Sequence, residues 1–149
     1  MAHYLAEDRD TKLIWLVRDP RAVWSSRLNN PLVKFWCLPG ECGNLERLCK
    51  YYEINTILSE RLSVEYPDRF RVVKFEGIAE DPVRATEDAI EFIGLDNSDS
   101  NLSKVKKIQN RTNFTRKQSW EDKLDKDVIR NIEELCRTSM EKLGYFQQT

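Results

Sequence analysis

Residues 12–27 read KLIWLVRDPRAVWSSR, Lys12 through Arg27. The apolar run Leu13-Ile14-Trp15-Leu16-Val17 has no polar alternation, which predicts a strand buried on both faces. It stops at Arg18-Asp19-Pro20. Asp19 is a good N-cap, and Pro20 suits the first helical position, where a missing N–H costs nothing. Helix is expected onward through Ala22, Val23 and Trp24 to about Leu28, before Asn29-Asn30-Pro31 ends it. A buried strand thus hands over directly to a helix, with Arg18 at the strand's carboxyl end. In open α/β sheets ligands bind at that edge, and a helix N-terminus beside it favours anions. Arg18 brings a planar, permanently charged fork suited to phosphate, and Ser25 and Ser26 bring hydroxyls about two turns on. The plainer reading pairs Arg18 with Asp19 or a nearby glutamate and packs both serines.

Downstream, Leu45, Leu48, Cys49, Tyr52, Leu58 and Leu62 recur at spacings of three and four, so Asn44 to about Glu65 reads as a helix capped by Asn44. Tyr66-Pro67-Asp68 ends it, and Arg69 to Glu76 reads as a second strand. Strand, helical crossover and strand make a parallel pair, hence an α/β fold. Asp81-Pro82 repeats the earlier cap, opening a helix with Val83, Thr86, Ala89, Ile90 and Ile93 on its apolar face and Gly94 at its end. A last helix is expected from Asp125 to Leu143, with Val128, Ile129, Ile132, Leu135, Cys136 and Met140 inward and Gly144 closing it. Residues 1–11 form a polar lead-in in which His3 is solvent-exposed. Residues 29–43 read as a loop whose Phe35, Trp36 and Leu38 fold back on the core or line an acceptor cleft.

The totals narrow the classes. The 149 residues suffice for one α/β domain, spanning 1–149, but are few for a complete nucleotide-dependent transferase. With 40% hydrophobic and 33% charged residues the chain is globular rather than disordered. A net charge of −1 gives no global attraction to nucleic acid or an anionic membrane, so phosphate affinity must be local. There is no membrane-span-length apolar segment and no targeting segment, so no membrane contact is expected from this chain itself. Cys37, Cys42, Cys49 and Cys136 permit two disulfides in any of three pairings, or remain reduced, and their spacing does not suit zinc; no metal site is expected. Three sequons, at Asn101, Asn110 and Asn113, lean toward a lumenal origin.

The string LVRDPRAVxSSR resembles the 3′-phosphate-binding segment of the Golgi carbohydrate sulfotransferases, the family that includes N-acetylglucosamine 6-O-sulfotransferases. There an Arg at the strand end and a Ser eight positions later hold the 3′-phosphate of 3′-phosphoadenosine-5′-phosphosulfate (PAPS). The matching positions are Arg18 and Ser26. Lys74 to Leu95 is similar to the family's RYEDLAxDPxxTxxxxxxFxGL stretch, keeping Glu76 but with Gly77 where an acidic residue is usual. Glu76 could orient an acceptor hydroxyl or a basic side chain, or form a structural salt bridge. The ending CxxxMxKLGY is similar too. A late loop, Asn113 to Trp120, corresponds to one that closes over the nucleotide. On that resemblance Arg116 and Lys117 join the 3′-phosphate site, supported by Thr115 and Ser119, while Trp120 anchors the loop. A solvated charge cluster is the other reading.

The resemblance implies a partial P-loop-NTPase-like, three-layer fold, with a short parallel sheet flanked by helices and without the N-terminal strand and phosphate loop. It implies PAPS-dependent sulfuryl transfer to a glycan or glycoprotein acceptor in a Golgi lumen, the parent being a type II membrane protein. This chain would supply the 3′-phosphoadenosine half-site. No residue stands out as a catalytic base or as a 5′ subsite. Two other readings stand beside it: a catalytically incomplete nucleotide-binding or interaction fragment of the same fold, and another phosphate-handling α/β protein such as a nucleotide kinase.

Overall fold

A computed structural model describes residues 2–29, 43–95, 103 and 120–146, with residues 2–4 by backbone alone. In chain order the elements are α1 (Ala2–Glu7), β1 (Leu13–Val17), α2 (Pro20–Asn29), α3 (Leu45–Glu65), β2 (Phe70–Lys74), α4 (Phe75–Glu80), α5 (Pro82–Ile93), α6 (Lys126–Leu135) and α7 (Arg137–Lys142). The chain clusters into two compact units, residues 1–17 with 61–117, and residues 18–60 with 118–149. The expectations for Phe35, Trp36 and Leu38, for Cys37 and Cys42, for the sequon asparagines and for Arg116, Lys117, Thr115 and Ser119 fall outside the described residues.

The first unit is built on the parallel pair β1–β2, in register from Leu13 opposite Phe70 to Val17 opposite Lys74. This is the α/β pairing expected from the strand–helix–strand order. Burial of β1 differs from the expectation. Trp15 and Val17 are buried, whereas Ile14 is 36% and Leu16 54% exposed. Successive side chains of a strand point to opposite faces, and among the described residues one face of this two-stranded sheet is covered. An unbroken apolar run does not therefore guarantee two covered faces.

The second strand stops at Lys74, earlier than expected, because the ladder has no partner beyond Val17; Phe75 and Glu76 instead start α4. Helix α5 is capped as read. The Asp81 carboxylate accepts the Arg84 N–H at 3.0 Å, Pro82 is in the first turn, and Gly94 closes it at φ +78°. Its buried aromatic is Phe92, and the expected inward Ile93 is 42% exposed. A pair of cations lies against Phe92. Lys12 and Arg71 lie 5.3 and 4.4 Å from the Phe92 ring centroid. They also donate to the carbonyls of Phe92 and Asp88, near the negative end of the helix.

The second unit packs helices around Trp24, Leu48, Tyr52, Trp120, Ile132 and Met140, all buried. Asn44 caps α3 as expected, its side chain accepting the Arg47 N–H at 2.9 Å. A disulfide joins Cys49 of α3 to Cys136, with 4.8 Å between the Cα atoms. The single last helix of the sequence reading is two. Cys136 sits between α6 and α7 at φ −96°, ψ 6°, off the helical minimum. Asp125 occupies the N-cap of α6 without a side-chain cap hydrogen bond. Leu135, expected inside, is 46% exposed. Gly144, at φ +68°, ends α7 as expected.

Candidate phosphate-binding site

Arg18 immediately follows β1, and every residue of the site described below belongs to residues 18–60 and 118–149. Asp19 caps α2: its Oδ1 accepts the Arg21 N–H at 2.8 Å, and its carbonyl accepts the Val23 N–H at 3.0 Å. With Pro20 lacking an N–H, the first turn of α2 has little left to offer a ligand. Anion binding beside this helix therefore rests on side chains.

The residue that grips Asp19 through both carboxylate oxygens is Arg21. Its Nε lies 3.0 and 3.2 Å from Oδ1 and Oδ2, and one terminal nitrogen lies 2.7 Å from Oδ2. The other terminal nitrogen donates to Glu133 Oε1 at 2.6 Å. A further bond runs to the Tyr145 carbonyl at 3.1 Å, and the guanidinium carbon stands 4.3 Å from the Trp120 ring centroid. The side chains of Arg21, Asp19 and Glu133 are 13%, 8% and 26% exposed, so this is a largely desolvated network. Burial alone would lower the Arg21 pKa. The hydrogen bonds and charge of Asp19, followed by those of Glu133, outweigh it and raise the value above that of a free arginine. Arg21 is permanently cationic.

The backbone that carries Arg18 is held from the other side as well. Buried Tyr52 of α3 donates its phenolic O–H to the Arg18 carbonyl at 2.6 Å. The Arg18 residue itself is half-buried. Ser26, on α2, is half-buried too, whereas Ser25 is buried. Ser26 lies seven positions beyond the cap at Asp19, close to two helical turns, or about 10 Å along the axis. Both expected phosphate ligands thus keep access to solvent, and Ser25 is a packing residue. Arg116 and Lys117 lie outside the described residues. Glu76 is half-buried in the first turn of α4. Trp120 is buried, as expected of an anchor, with Arg21 against its ring.

Guanidinium and hydroxyl groups are the kind of donor from which a phosphate monoester takes charge-assisted bonds. Among the described residues no group of three or more His, Cys, Asp or Glu could hold a metal ion. Nor is any described helix long and apolar enough to cross a membrane. The sequence reading missed Arg21, Glu133 and Tyr52. The one local hint was Arg21, two residues after a capping Asp and so in reach of its carboxylate.

The family model described as "Sulfotransferase family" matches residues 6–99, a span that includes Arg18 and Ser26. The chain is similar to carbohydrate sulfotransferase 1 of Danio rerio, 25% identical over 159 residues, covering 90% of this chain and 38% of the relative. It is also similar to carbohydrate sulfotransferase 3 of Tetronarce californica, 27% identical over 161 residues, covering 90% of this chain and 36% of the relative. Carbohydrate sulfotransferase 1 of Mus musculus is 23% identical over 158 residues, again covering 90% of this chain and 38% of the relative. The chain thus spans under two-fifths of the length of these relatives. No solved structure matches it.

Proposed function

Because the chain belongs to the sulfotransferase family, we propose that it serves sulfuryl transfer from PAPS to a carbohydrate hydroxyl, with Arg18 and Ser26 holding the 3′-phosphate of the donor. When bound, PAPS would supply the activated sulfuryl group: its bond to the phosphate-bridging oxygen breaks as the bond to the acceptor oxygen forms, with adenosine 3′,5′-bisphosphate as the leaving group and the hydroxyl proton released. The share of this chain in that chemistry is binding and orientation. Arg18 neutralises and orients the 3′-phosphate and Ser26 adds a directional hydrogen bond, while the resemblance alone assigns Arg116 and Lys117 to the same group. Held there, the nucleotide presents its reactive end in one register to the acceptor.

The observation that carries the reading is the anchored backbone at Arg18, with the solvent-accessible Ser26 two turns into the following helix. The carbohydrate acceptor rests on the relatives, whose names are those of carbohydrate sulfotransferases. A Golgi lumen is supported by the disulfide between buried Cys49 and Cys136, since such bonds form and persist in oxidising compartments. The partial P-loop-like, three-layer architecture belongs to this reading as well.

Melting curves test it. With adenosine 3′,5′-bisphosphate at a hundredfold over its Kd, linkage gives about 2.7 kcal/mol of stabilisation. For a chain of this size that is a rise of about 5–10 °C. Adenosine 5′-monophosphate, lacking the 3′-phosphate, should give a clearly smaller rise, and Arg18→Ala should remove the difference. Equal shifts with both nucleotides would overturn the proposal. A larger shift with ATP than with the bisphosphate would point to a different phosphate-handling protein.

A further inference from the structure

We infer that Arg21 is a positioning residue for the phosphate subsite: acting through Asp19, it fixes the orientation of the main chain that carries Arg18. The inference rests on the reading of Arg18 given above and adds what holds that residue in place.

The geometry is specific. Arg18 sits between two anchors. On one side its own carbonyl accepts from Tyr52. On the other, the next residue is Asp19, whose carboxylate is gripped through both oxygens by Arg21. Arg21 is in turn fixed by Glu133, by the Tyr145 carbonyl and by the Trp120 face. Four residues, Asp19, Trp120, Glu133 and Tyr145, therefore converge on one guanidinium, which fits Arg21 to hold the site rather than to contact ligand. Its effect on binding is indirect and has two parts. It holds the Asp19 carboxylate, and with it the first turn of α2, in one geometry. It also supplies the counter-charge to Asp19, so that the carboxylate beside Arg18 does not repel an incoming phosphate. Lysine cannot replace it, because a single ammonium lacks the fork that spans Asp19 and Glu133 together.

The test is the ratio of Kd values for adenosine 5′-monophosphate and adenosine 3′,5′-bisphosphate, measured by calorimetry on the whole chain. A ratio is insensitive to a reduced folded fraction, which weakens both ligands alike. Arg21→Lys keeps the charge and so favours folding; Arg21→Met is the harsher companion. The expected result is a wild-type preference for the bisphosphate that falls about tenfold in Arg21→Lys. In an Arg18→Ala background the same substitution should change the ratio no further. A preference retained in Arg21→Lys, or one that drops equally with Arg18 absent, overturns the positioning role and leaves the proposed function standing. A wild-type chain with no preference for the bisphosphate overturns the proposed function, and this inference with it.

Discussion

Replacing Cys49 and Cys136 together by alanine should weaken the chain by several kcal/mol, and the size can be worked from the structure. The bond closes a loop with a sequence separation of 87. Chain-entropy scaling for a loop that long gives about 4.5 kcal/mol at 25 °C, at the upper end of the 2–5 kcal/mol usually lost when a native disulfide is removed. Packing adds little, because the half-cystines become small apolar side chains in a buried setting. The bond ties α3 to the turn between α6 and α7, so the loss should concentrate in the unit containing those helices. Equilibrium denaturation followed by tryptophan fluorescence suits this, since buried Trp24 and Trp120 report on that unit. The midpoint should fall, and the denaturant dependence should steepen as the unfolded chain, freed of its crosslink, exposes more surface. A loss below about 1 kcal/mol, with the wild-type Cys49–Cys136 linkage verified by peptide mass, would refute the entropic reasoning. In that case the crosslinked and open chains would share a similarly compact unfolded state.

Arg21→Ala should cost about 3–5 kcal/mol, because it strands the Asp19 carboxylate in a desolvated site, while adding Asp19→Asn should recover part of the loss; urea titration of both variants checks this. Gly94→Ala should destabilise by about 1 kcal/mol, since the site is open to a Cβ but its φ of +78° disfavours one. Gly77→Ala, also in open space but inside α4, should stabilise by about 0.5–1 kcal/mol, and the opposite signs are the check. The Thr11 hydroxyl, 2.6 Å from Asp8, and then the Asp10 N–H hold the Asp8 carboxyl below the usual carboxylate range. A depressed folded value favours folding above the unfolded value, and the gain is lost as pH falls through the folded one. Thr11→Ala should therefore shift the Asp8 midpoint upward in an NMR titration.

Features set by chemistry a few residues apart were readable in advance. The caps at Asp19, Asn44 and Asp81 and the stop at Gly94 each follow from neighbours in the chain, and the parallel pairing follows from the order strand, helix, strand. What escaped depends on distant partners. An apolar run such as Leu13 to Val17 carries no mark of whether its second face will be covered, so the exposure of Leu16 was hidden. Phe92 rather than Ile93 is buried, with Lys12 from just before β1 and Arg71 from β2 against its ring, a contact across 80 residues in the case of Lys12. The interruption at Cys136 coincides with its bond to Cys49, one of three pairings open to four cysteines. At the site, Arg18 and Ser26 were legible as a motif. The anchoring was not: Arg21 meets Glu133 across 112 residues, and Tyr52 reaches Arg18 across 34.

The most direct measurement is the calorimetric affinity for adenosine 3′,5′-bisphosphate through a cycle of wild type, Arg18→Ala, Ser26→Ala and the double variant. A guanidinium on phosphate should be worth about 1.5–3 kcal/mol and the hydroxyl about 1–2 kcal/mol. Groups sharing one phosphate should also couple by at least about 0.5 kcal/mol. Affinity that survives both substitutions unchanged would contradict the account at its centre.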